Sequence, residues 1–193
     1  MNILVIGTGL VGQAVVTEAQ NRNLNVEVAS HSGKNGIALD ISKTEDLAAA
    51  INSHDATVIA VSGRPNYTTV IEAHKKLVEH GFEGRLLVVV GAGSLEVDGT
   101  PLAQLPDFPA EYKPEADAFA EILNFYKNSS ATNWTAISPS PMIDAEPGTG
   151  RIVLGTDSPA GDYVAASDFA KGIVDEIQNP AHKASRFTIA TLK

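Results

Sequence analysis

The chain has 193 residues, of which 44% are hydrophobic and 19% charged, and its formal net charge at pH 7 is −9. This length is enough for one domain with an ordinary hydrophobic core. The acidic excess offers no positive surface for nucleic-acid phosphates or anionic membranes, so neither is an expected partner. The chain contains no cysteine, which excludes disulfides and thiolate catalysis.

The chain starts with MNILVIG, which lacks a basic segment and has a shorter apolar run than a signal peptide. No later stretch approaches the roughly 20 apolar residues of a membrane span. We therefore expect a cytoplasmic protein.

Short apolar runs alternate with longer amphipathic segments along the chain. The runs are ILVI, VEVA, TVIAV, RLLVVV and WTAI, and the amphipathic segments span 10–22, 43–53, 67–80 and 114–128. A helix near 167–178, capped by Ser167 or Asp168, and a strand RFTIA end the pattern. Continuous apolar runs favour parallel strands covered on both faces. The pattern predicts an α/β fold: a single Rossmann-like domain over 1–193, with a doubly wound parallel sheet and helices on both faces.

Two long segments interrupt this alternation, residues 91–113 and 138–163. Both are rich in proline and glycine, and each follows a predicted strand. Since ligands bind at the carboxyl ends of strands in open α/β sheets, we expect these loops to form the pocket of an acceptor molecule.

The first apolar run leads into a turn with glycines at Gly7, Gly9 and Gly12. A dinucleotide-binding turn needs a tight bend at the first glycine, close approach of the pyrophosphate at the second, and close helix packing at the third. The turn therefore predicts a dinucleotide site, with Thr8, Leu10 and Val11 among its contacts. A turn that is tight only for packing is the alternative.

The end of the second predicted strand bears on the choice of cofactor. An NAD site usually has an acidic residue there, whereas this chain has Ser30, His31 and Ser32, followed by Lys34. Glu27 lies within the strand rather than at its end. The missing acid favours NADP(H), and NAD(H) stays possible if these residues form a solvated loop.

Several longer motifs occur in order along nearly the whole chain. They are VVVGAGSLEV, DFPAEYKPEA, NWTAISPSPMI followed by EPGTGRIVLG, and SDFAKGIVDEIQNPAHKASRFTIA. With these motifs the chain resembles the NADH-flavin reductases of the NAD(P)H-binding, atypical short-chain dehydrogenase group, which includes biliverdin IX-beta reductase. The glycine turn is one residue shorter than the Gly-x-x-Gly-x-x-Gly usual in that group.

The resemblance implies further cofactor contacts. Asp40 and Ile41 would border the adenine, and the segment after the third predicted strand would pass the ribose and phosphates. Two later loops would lie beside the nicotinamide and the acceptor. The implied residues of these segments are Val61, Ser62 and Gly63; Gly91 to Ser94; and Pro139, Ser140, Pro141 and Met142.

Carbonyl-reducing short-chain dehydrogenases use Tyr-x-x-x-Lys, because the developing alkoxide needs a proton. None of the four tyrosines fits: four residues after Tyr67, Tyr112, Tyr126 and Tyr163 stand Ile71, Ala116, Ser130 and Ser167. The remaining catalytic candidates are Ser94, Tyr112 and Lys113. Each also has a structural interpretation, as a turn serine, a packed tyrosine and an exposed lysine.

The five histidines show no metal-ligand spacing, so we expect no metal site. Hydride transfer to a conjugated acceptor needs stacking more than a protein acid. We therefore expect an NAD(P)H-dependent reductase of a flavin, quinone or similar small molecule. The alternative is a non-catalytic NAD(P)-sensing regulator or scaffold of the NmrA type. The oligomeric state stays open, and a homo-oligomer is compatible with the sequence.

Overall fold

Twelve strands and five α-helices form the secondary structure of the computed structural model, which describes residues 1–193. In chain order these are β1 (Asn2–Ile6), α1 (Leu10–Asn21), β2 (Asn25–Ser30), β3 (Ile37–Ala38), α2 (Thr44–Asn52), β4 (Ala56–Ile59), α3 (Thr68–His80), β5 (Leu86–Val89), β6 (Glu96–Val97), β7 (Thr100–Pro101), α4 (Lys113–Lys127), β8 (Trp134–Pro139), β9 (Met142–Asp144), β10 (Ile152–Gly155), β11 (Tyr163–Ala165), α5 (Ala166–Gln178) and β12 (Ser185–Thr191). Three 3₁₀ helices span Ala92–Ser94, Leu102–Gln104 and Ala110–Tyr112.

The main sheet has eight strands in the order β10-β12-β8-β5-β4-β1-β2-β3. The chain begins in β1, winds outward through β2 and β3, then crosses to β4 and winds the other way. Seven of the eight strands run parallel, and β10 at the edge is antiparallel to β12. The doubly wound sheet predicted from the sequence is therefore confirmed, and the winding reverses between β1 and β4.

Several short strands lie where the sequence analysis placed loops. Segment 91–113 contains the antiparallel pair β6 and β7, and segment 138–163 contains β9, β10 and the start of β11. β9 and β11 form a small parallel sheet of their own. These strands have two to four residues each, which is too short for a periodic pattern to reveal them.

Side chains alternate between the two faces of the sheet, and each face is covered by its own helices. In β1, Leu4 and Ile6 face α2, α3 and α4, whereas Ile3 and Val5 face α1 and α5. All four side chains are fully buried or nearly so. This period of two puts half of each central strand into each core, which explains why the strands are apolar throughout.

One polar pair is buried in the first of these cores. His74 of α3 places its Nδ1 2.8 Å from the hydroxyl oxygen of Tyr126 of α4, and both side chains are buried. Burial lowers the pKa of His74 to about 4 and raises the pKa of Tyr126. The imidazole is thus neutral in the folded protein at pH values where an unfolded histidine is charged.

We expect this pair to make the fold sensitive to acid. Between pH 6.5 and 4 the unfolded chain binds a proton at His74 that the folded chain does not, so the free energy of unfolding falls by about 2 kcal/mol from pH 7 to pH 5. Urea unfolding at both pH values measures this loss. The double variant His74→Leu/Tyr126→Phe, which removes both polar partners, should lose less.

The control is His80→Gln, which replaces an exposed histidine at the end of the same helix. This variant should lose as much free energy of unfolding between pH 7 and pH 5 as the unsubstituted protein does. Equal losses in the double variant and the unsubstituted protein would contradict the prediction.

Candidate functional site

The carboxyl ends of the central strands lie level with one another. Ile6 at the end of β1 is in register with Ala29 of β2 and Ile59 of β4. Val89 at the end of β5 is in register with Ile137 of β8. Because these strands are parallel, the segments that follow them emerge side by side at one edge. The predicted cofactor segments at this edge are 7–12, 30–32, 61–63, 91–94 and 139–140.

The glycine turn meets three separate steric demands. Gly7 has a φ of 114°, its N–H donates to the carbonyl of Ala29 at 2.9 Å, and a Cβ there would collide with the carbonyl of Ala60. Gly12 lies so close to Gly7 that a Cβ would collide with the Gly7 carbonyl oxygen. Gly9 has extended backbone with no atom within 4 Å of a Cβ position. The second glycine thus faces open space in which a phosphate can approach the backbone.

The start of the helix that follows has the features of an anion-binding site. α1 has no side-chain cap at Gly9 and no acidic residue in its first turn. The N–H groups of Leu10, Val11 and Gly12 therefore have no partner within the helix. Free N–H groups and the positive end of the helix dipole together form a phosphate site. The residues present fit a dinucleotide pyrophosphate.

The ribose end of the site differs from the sequence expectation in one respect. β2 ends at Ser30 without an acid, but Asp40, which follows β3, places Oδ2 4.0 Å from Nε2 of His31. Asp40 accepts the N–H of Ser42 at 2.9 Å, and hydrogen bonding with Ser42 lowers the pKa of this carboxyl group. The imidazole of His31 is 86% exposed. The carboxylate of Asp40, from the segment after β3, therefore lies beside His31, although β2 itself ends without an acid.

The segment after β4 is hydrogen-bonded to the end of β1, next to the glycine turn. The N–H of Ala60 donates to the carbonyl of Ile6 at 2.8 Å, which ties this segment to the glycine turn. Val61 packs against the core, Ser62 is exposed, and Gly63 turns the chain with a φ of 74°. Ser62 is thus available to a ligand at this edge.

The far end of the edge is held by serine hydroxyls. Ser138 of β8 donates to the carbonyl of Gly91 at 3.1 Å, which joins the loop after β5 to β8. Ser140 is buried and donates to the carbonyl of Ile189 at 2.9 Å. Its hydroxyl is therefore committed to the backbone of β12. Met142 is 63% exposed in the strand that follows.

The three candidate catalytic side chains have different surroundings. Ser94 Oγ accepts a hydrogen bond from Arg186 at 2.8 Å. Lys113 Nζ donates to Asp117 and to a loop carbonyl, each at 3.3 Å, and Tyr112 is 53% exposed. No hydrogen bond joins the three to one another.

Tyr163, another tyrosine near this edge, has its hydroxyl bound to a carboxylate of the protein. Its hydroxyl donates to Asp144 at 2.7 Å, linking β11 to β9. The hydrogen bond to the carboxylate is the main cause that raises the pKa of Tyr163 to about 12. The pair stiffens the small sheet beside the carboxyl end of β8.

The expectation that Ser167 or Asp168 caps the last helix is wrong. α5 has no side-chain cap. The buried carboxylate of Asp168 instead accepts the N–H groups of Thr149 and Gly150 at 3.0 and 2.9 Å and the hydroxyl of Thr191 at 2.8 Å. Asp168 thus fastens a turn of segment 138–163 to α5 and β12. Its partners are about 20 residues away in sequence, so no local pattern reveals them.

The structure contains neither a cluster of metal-binding side chains nor a helix that could span a membrane. No group of three histidine, aspartate or glutamate side chains lies close enough together to hold a metal ion. No helix is both long and apolar enough to cross a bilayer.

The fold and the glycine turn define an NAD(P)-binding domain of the Rossmann type. The profile of the NAD(P)H-binding family matches residues 7–180, and the chain belongs to that family.

Comparison with known proteins gives relatives over the full length. The uncharacterized protein YwnB of Bacillus subtilis (strain 168) is 33% identical to this chain over an alignment of 210 residues. The alignment covers 99% of each of the two chains. The crystal structure of SP1627 from Streptococcus pneumoniae TIGR4, described as a candidate NADH-flavin reductase, is 30% identical with a TM-score of 0.85 and full coverage of both chains. ChuY, an anaerobilin reductase of Escherichia coli O157:H7, is 15% identical with a TM-score of 0.74 over 100% of this chain and 99% of its own. This last likeness shows the fold alone.

The different surroundings of the glycines lead to a prediction. Gly9→Ala should weaken NADPH binding at least about tenfold, because the methyl group fills the space where the phosphate approaches. Its free energy of unfolding should change by no more than about 1 kcal/mol, since alanine adopts extended backbone without collision. Isothermal titration calorimetry and urea unfolding measure the two quantities.

Gly12→Ala is the matched comparison, because its Cβ meets the Gly7 carbonyl and should destabilise the fold itself. A Gly9→Ala protein that binds NADPH as tightly as the unsubstituted protein would overturn this assignment of the phosphate site.

Proposed function

We propose that the protein is an NAD(P)H-dependent oxidoreductase that transfers hydride to a flavin, a quinone or a similar conjugated small molecule. The observation that carries the proposal is the open Gly9 backbone at the uncapped start of α1, at the carboxyl edge of a parallel sheet. Membership of the NAD(P)H-binding family and the 30% identity to SP1627 support it.

The residues at the carboxyl edge have distinct roles in this proposal. The N–H groups of Leu10, Val11 and Gly12 would bind the pyrophosphate. Asp40 and Ile41 would border the adenine, with Ser30, His31 and Ser32 at the ribose. When bound, NADPH supplies the hydride. The turn residues Gly7 and Thr8, the segment Val61 to Gly63, Gly91 and Pro139 would complete the cofactor contacts. Ser140 would only support its loop, because it is fully buried and its hydroxyl donates to the carbonyl of Ile189.

The arrangement of tyrosines supports a conjugated acceptor over a simple carbonyl. A carbonyl needs a positioned acid for the developing alkoxide. Tyr126 is fully buried beside His74 and the hydroxyl of Tyr163 donates to Asp144, so neither hydroxyl is free to donate a proton to an acceptor. Ser94 and Lys113 are engaged by protein partners. A flavin or quinone spreads the added charge over its rings, so the protein has mainly to hold the two rings together.

Steady-state kinetics tests the proposal directly. With saturating NADPH, we expect oxidation at 340 nm in the presence of FMN, riboflavin or menadione, and none with simple aldehydes or ketones. Absence of turnover with every flavin and quinone would overturn the proposal. If NADPH still bound under those conditions, the protein would be a nucleotide sensor or scaffold of the NmrA type.

We also propose that NADP(H) is preferred over NAD(H), because β2 ends without an acid and His31 and Ser32, which follow it at the ribose end, are exposed. His31→Arg should raise the preference for NADPH, since a guanidinium pairs with a phosphate. His31→Glu should lower it about fivefold or more, since its charge repels the 2′-phosphate. The ratio of dissociation constants for NADPH and NADH measures the preference.

His80→Glu places the same charge on an exposed site of α3 and should leave the ratio unchanged. If neither His31 variant altered the ratio, the 2′-phosphate would not be read at this residue.

A further inference from the structure

One edge of the main sheet is open and apolar. β10 is the last strand in the order β10-β12-β8-β5-β4-β1-β2-β3, so it has a neighbouring strand on one side only. Val153 and Leu154 of this strand are 38% and 48% exposed. Leu192, which follows β12 and is bonded to the backbone of Arg151, is 46% exposed. This edge therefore presents large hydrophobic side chains to solvent.

The pairing of β10 with β12 decides which backbone groups of β10 face outward. The N–H of Leu192 donates to the carbonyl of Arg151 at 2.9 Å. In an antiparallel pair, hydrogen-bonded and non-hydrogen-bonded positions alternate, so Arg151 and Val153 direct their backbone groups toward β12. Ile152 and Leu154 direct theirs away from the sheet, and no backbone group of the chain pairs with them there. The edge thus offers free donors and acceptors at two alternate residues.

The two edges of the sheet differ in how they are protected. Edge strands usually avoid pairing through a charged side chain, a proline, a bulge or a very short length. β3, at the opposite edge, has only two residues. β10 has four residues, and none of them is charged or proline. Its backbone is therefore a template for a further strand.

A second copy of β10 fits this template when the two strands run antiparallel about a twofold axis. The outward-facing residues must pair with one another, which happens when Ile152 of each copy lies opposite Leu154 of the other. Val153 then lies opposite Val153 of the second copy, on the axis. Arg151 lies opposite Gly155 of the second copy, so no like charges meet in this register.

The charges beside β10 also complement those of a second copy. Arg151 is exposed, and none of the ion pairs within the chain includes it. Asp157 is 55% exposed, and both Arg186 and Lys127 bind its Oδ1, which leaves Oδ2 free. The register brings Arg151 diagonally across from Asp157 of the second copy, a separation that long side chains span.

We propose that β10 pairs with β10 of a second copy, so that two eight-stranded sheets join into one continuous sheet in a twofold-symmetric dimer. The inference does not depend on the proposed function. Four strands separate β10 from β1, which carries the glycine turn, so the dimer leaves the phosphate site of each copy open.

The mass of the full chain in solution tests the proposal. Light scattering across a range of concentrations should give twice the 20.2 kDa of one chain. Physiological ionic strength is used, because salt screens the repulsion between two chains of net charge −9. Val153→Lys puts two like charges across the axis and should raise the dimer dissociation constant at least about tenfold. Far-UV circular dichroism checks that the variant is folded.

Ile37→Lys is the matched control, because Ile37 is also 38% exposed and lies on β3 at the opposite edge. It should leave the dimer dissociation constant unchanged.

Cross-linking tests the register without a charged substitution. The chain has no cysteine, so one introduced thiol reports on one position. Non-hydrogen-bonded positions of an antiparallel pair have Cα atoms about 4.5 Å apart, which a disulfide spans. Val153→Cys should therefore give a disulfide-linked dimer on mild oxidation. Leu154→Cys should not, because the two copies of this residue are diagonal neighbours about 7–8 Å apart.

Three results would count against the proposal. A monomer at every concentration would overturn it, and so would a dimer that persists unchanged in a folded Val153→Lys protein. Equal cross-linking of Val153→Cys and Ile37→Cys would show random collision in place of a specific contact. The cysteine variants keep the test decisive where Val153→Lys does not fold, since they add no charge to the strand.

Discussion

The contact between Gly7 and the carbonyl of Ala60 is the constraint on which the site depends. It is possible because Gly7 lacks a Cβ and has a φ of 114°, and it joins β1 to β4 where the winding of the sheet reverses. At such a reversal the following helices turn away to opposite faces and leave a crevice. Gly12 then lets α1 start close to the turn, which points its free N–H groups into that crevice. A larger residue at Gly7 or Gly12 would separate the helix from the strand ends.

An acidic protein can bind an anionic cofactor when the groups that bind it are backbone N–H groups. The net charge of −9 gives no long-range attraction for phosphates, yet the first turn of α1 carries no acidic residue. The local field at a helix start decides binding over a few ångströms, whereas net charge acts at distances that salt screens. The charge balance that makes nucleic acid an unexpected partner therefore leaves a dinucleotide possible.

The sequence predicts those features whose causes are local. The central strands, the five helices and the glycine turn follow from apolar periodicity and from glycines at fixed spacing, and the structure reproduces them. Asp40, Asp168 and Arg186 are different, because their partners come from other strands and loops. Asp168 had the appearance of a helix cap, since the residue types of a cap and of a loop anchor are the same. Only the fold shows that its carboxylate reaches a turn about 20 residues earlier in the chain.

We expect the two irregular loops to contact the acceptor of the proposed reaction, and the sheet supports these loops through buried charges. Segment 138–163 is held by Asp168 from α5 and by Arg186 from β12, and segment 91–113 by Arg186 and by Ser138. A loop that gains few apolar contacts needs directional bonds to keep one conformation. Charged groups that are fully paired supply such bonds, at a desolvation cost that their partners offset. In the proposed reaction, the absence of a catalytic tyrosine–lysine pair places the chemical demand on ring alignment. We therefore expect the anchors of these loops to affect the proposed reaction through the alignment of the two rings.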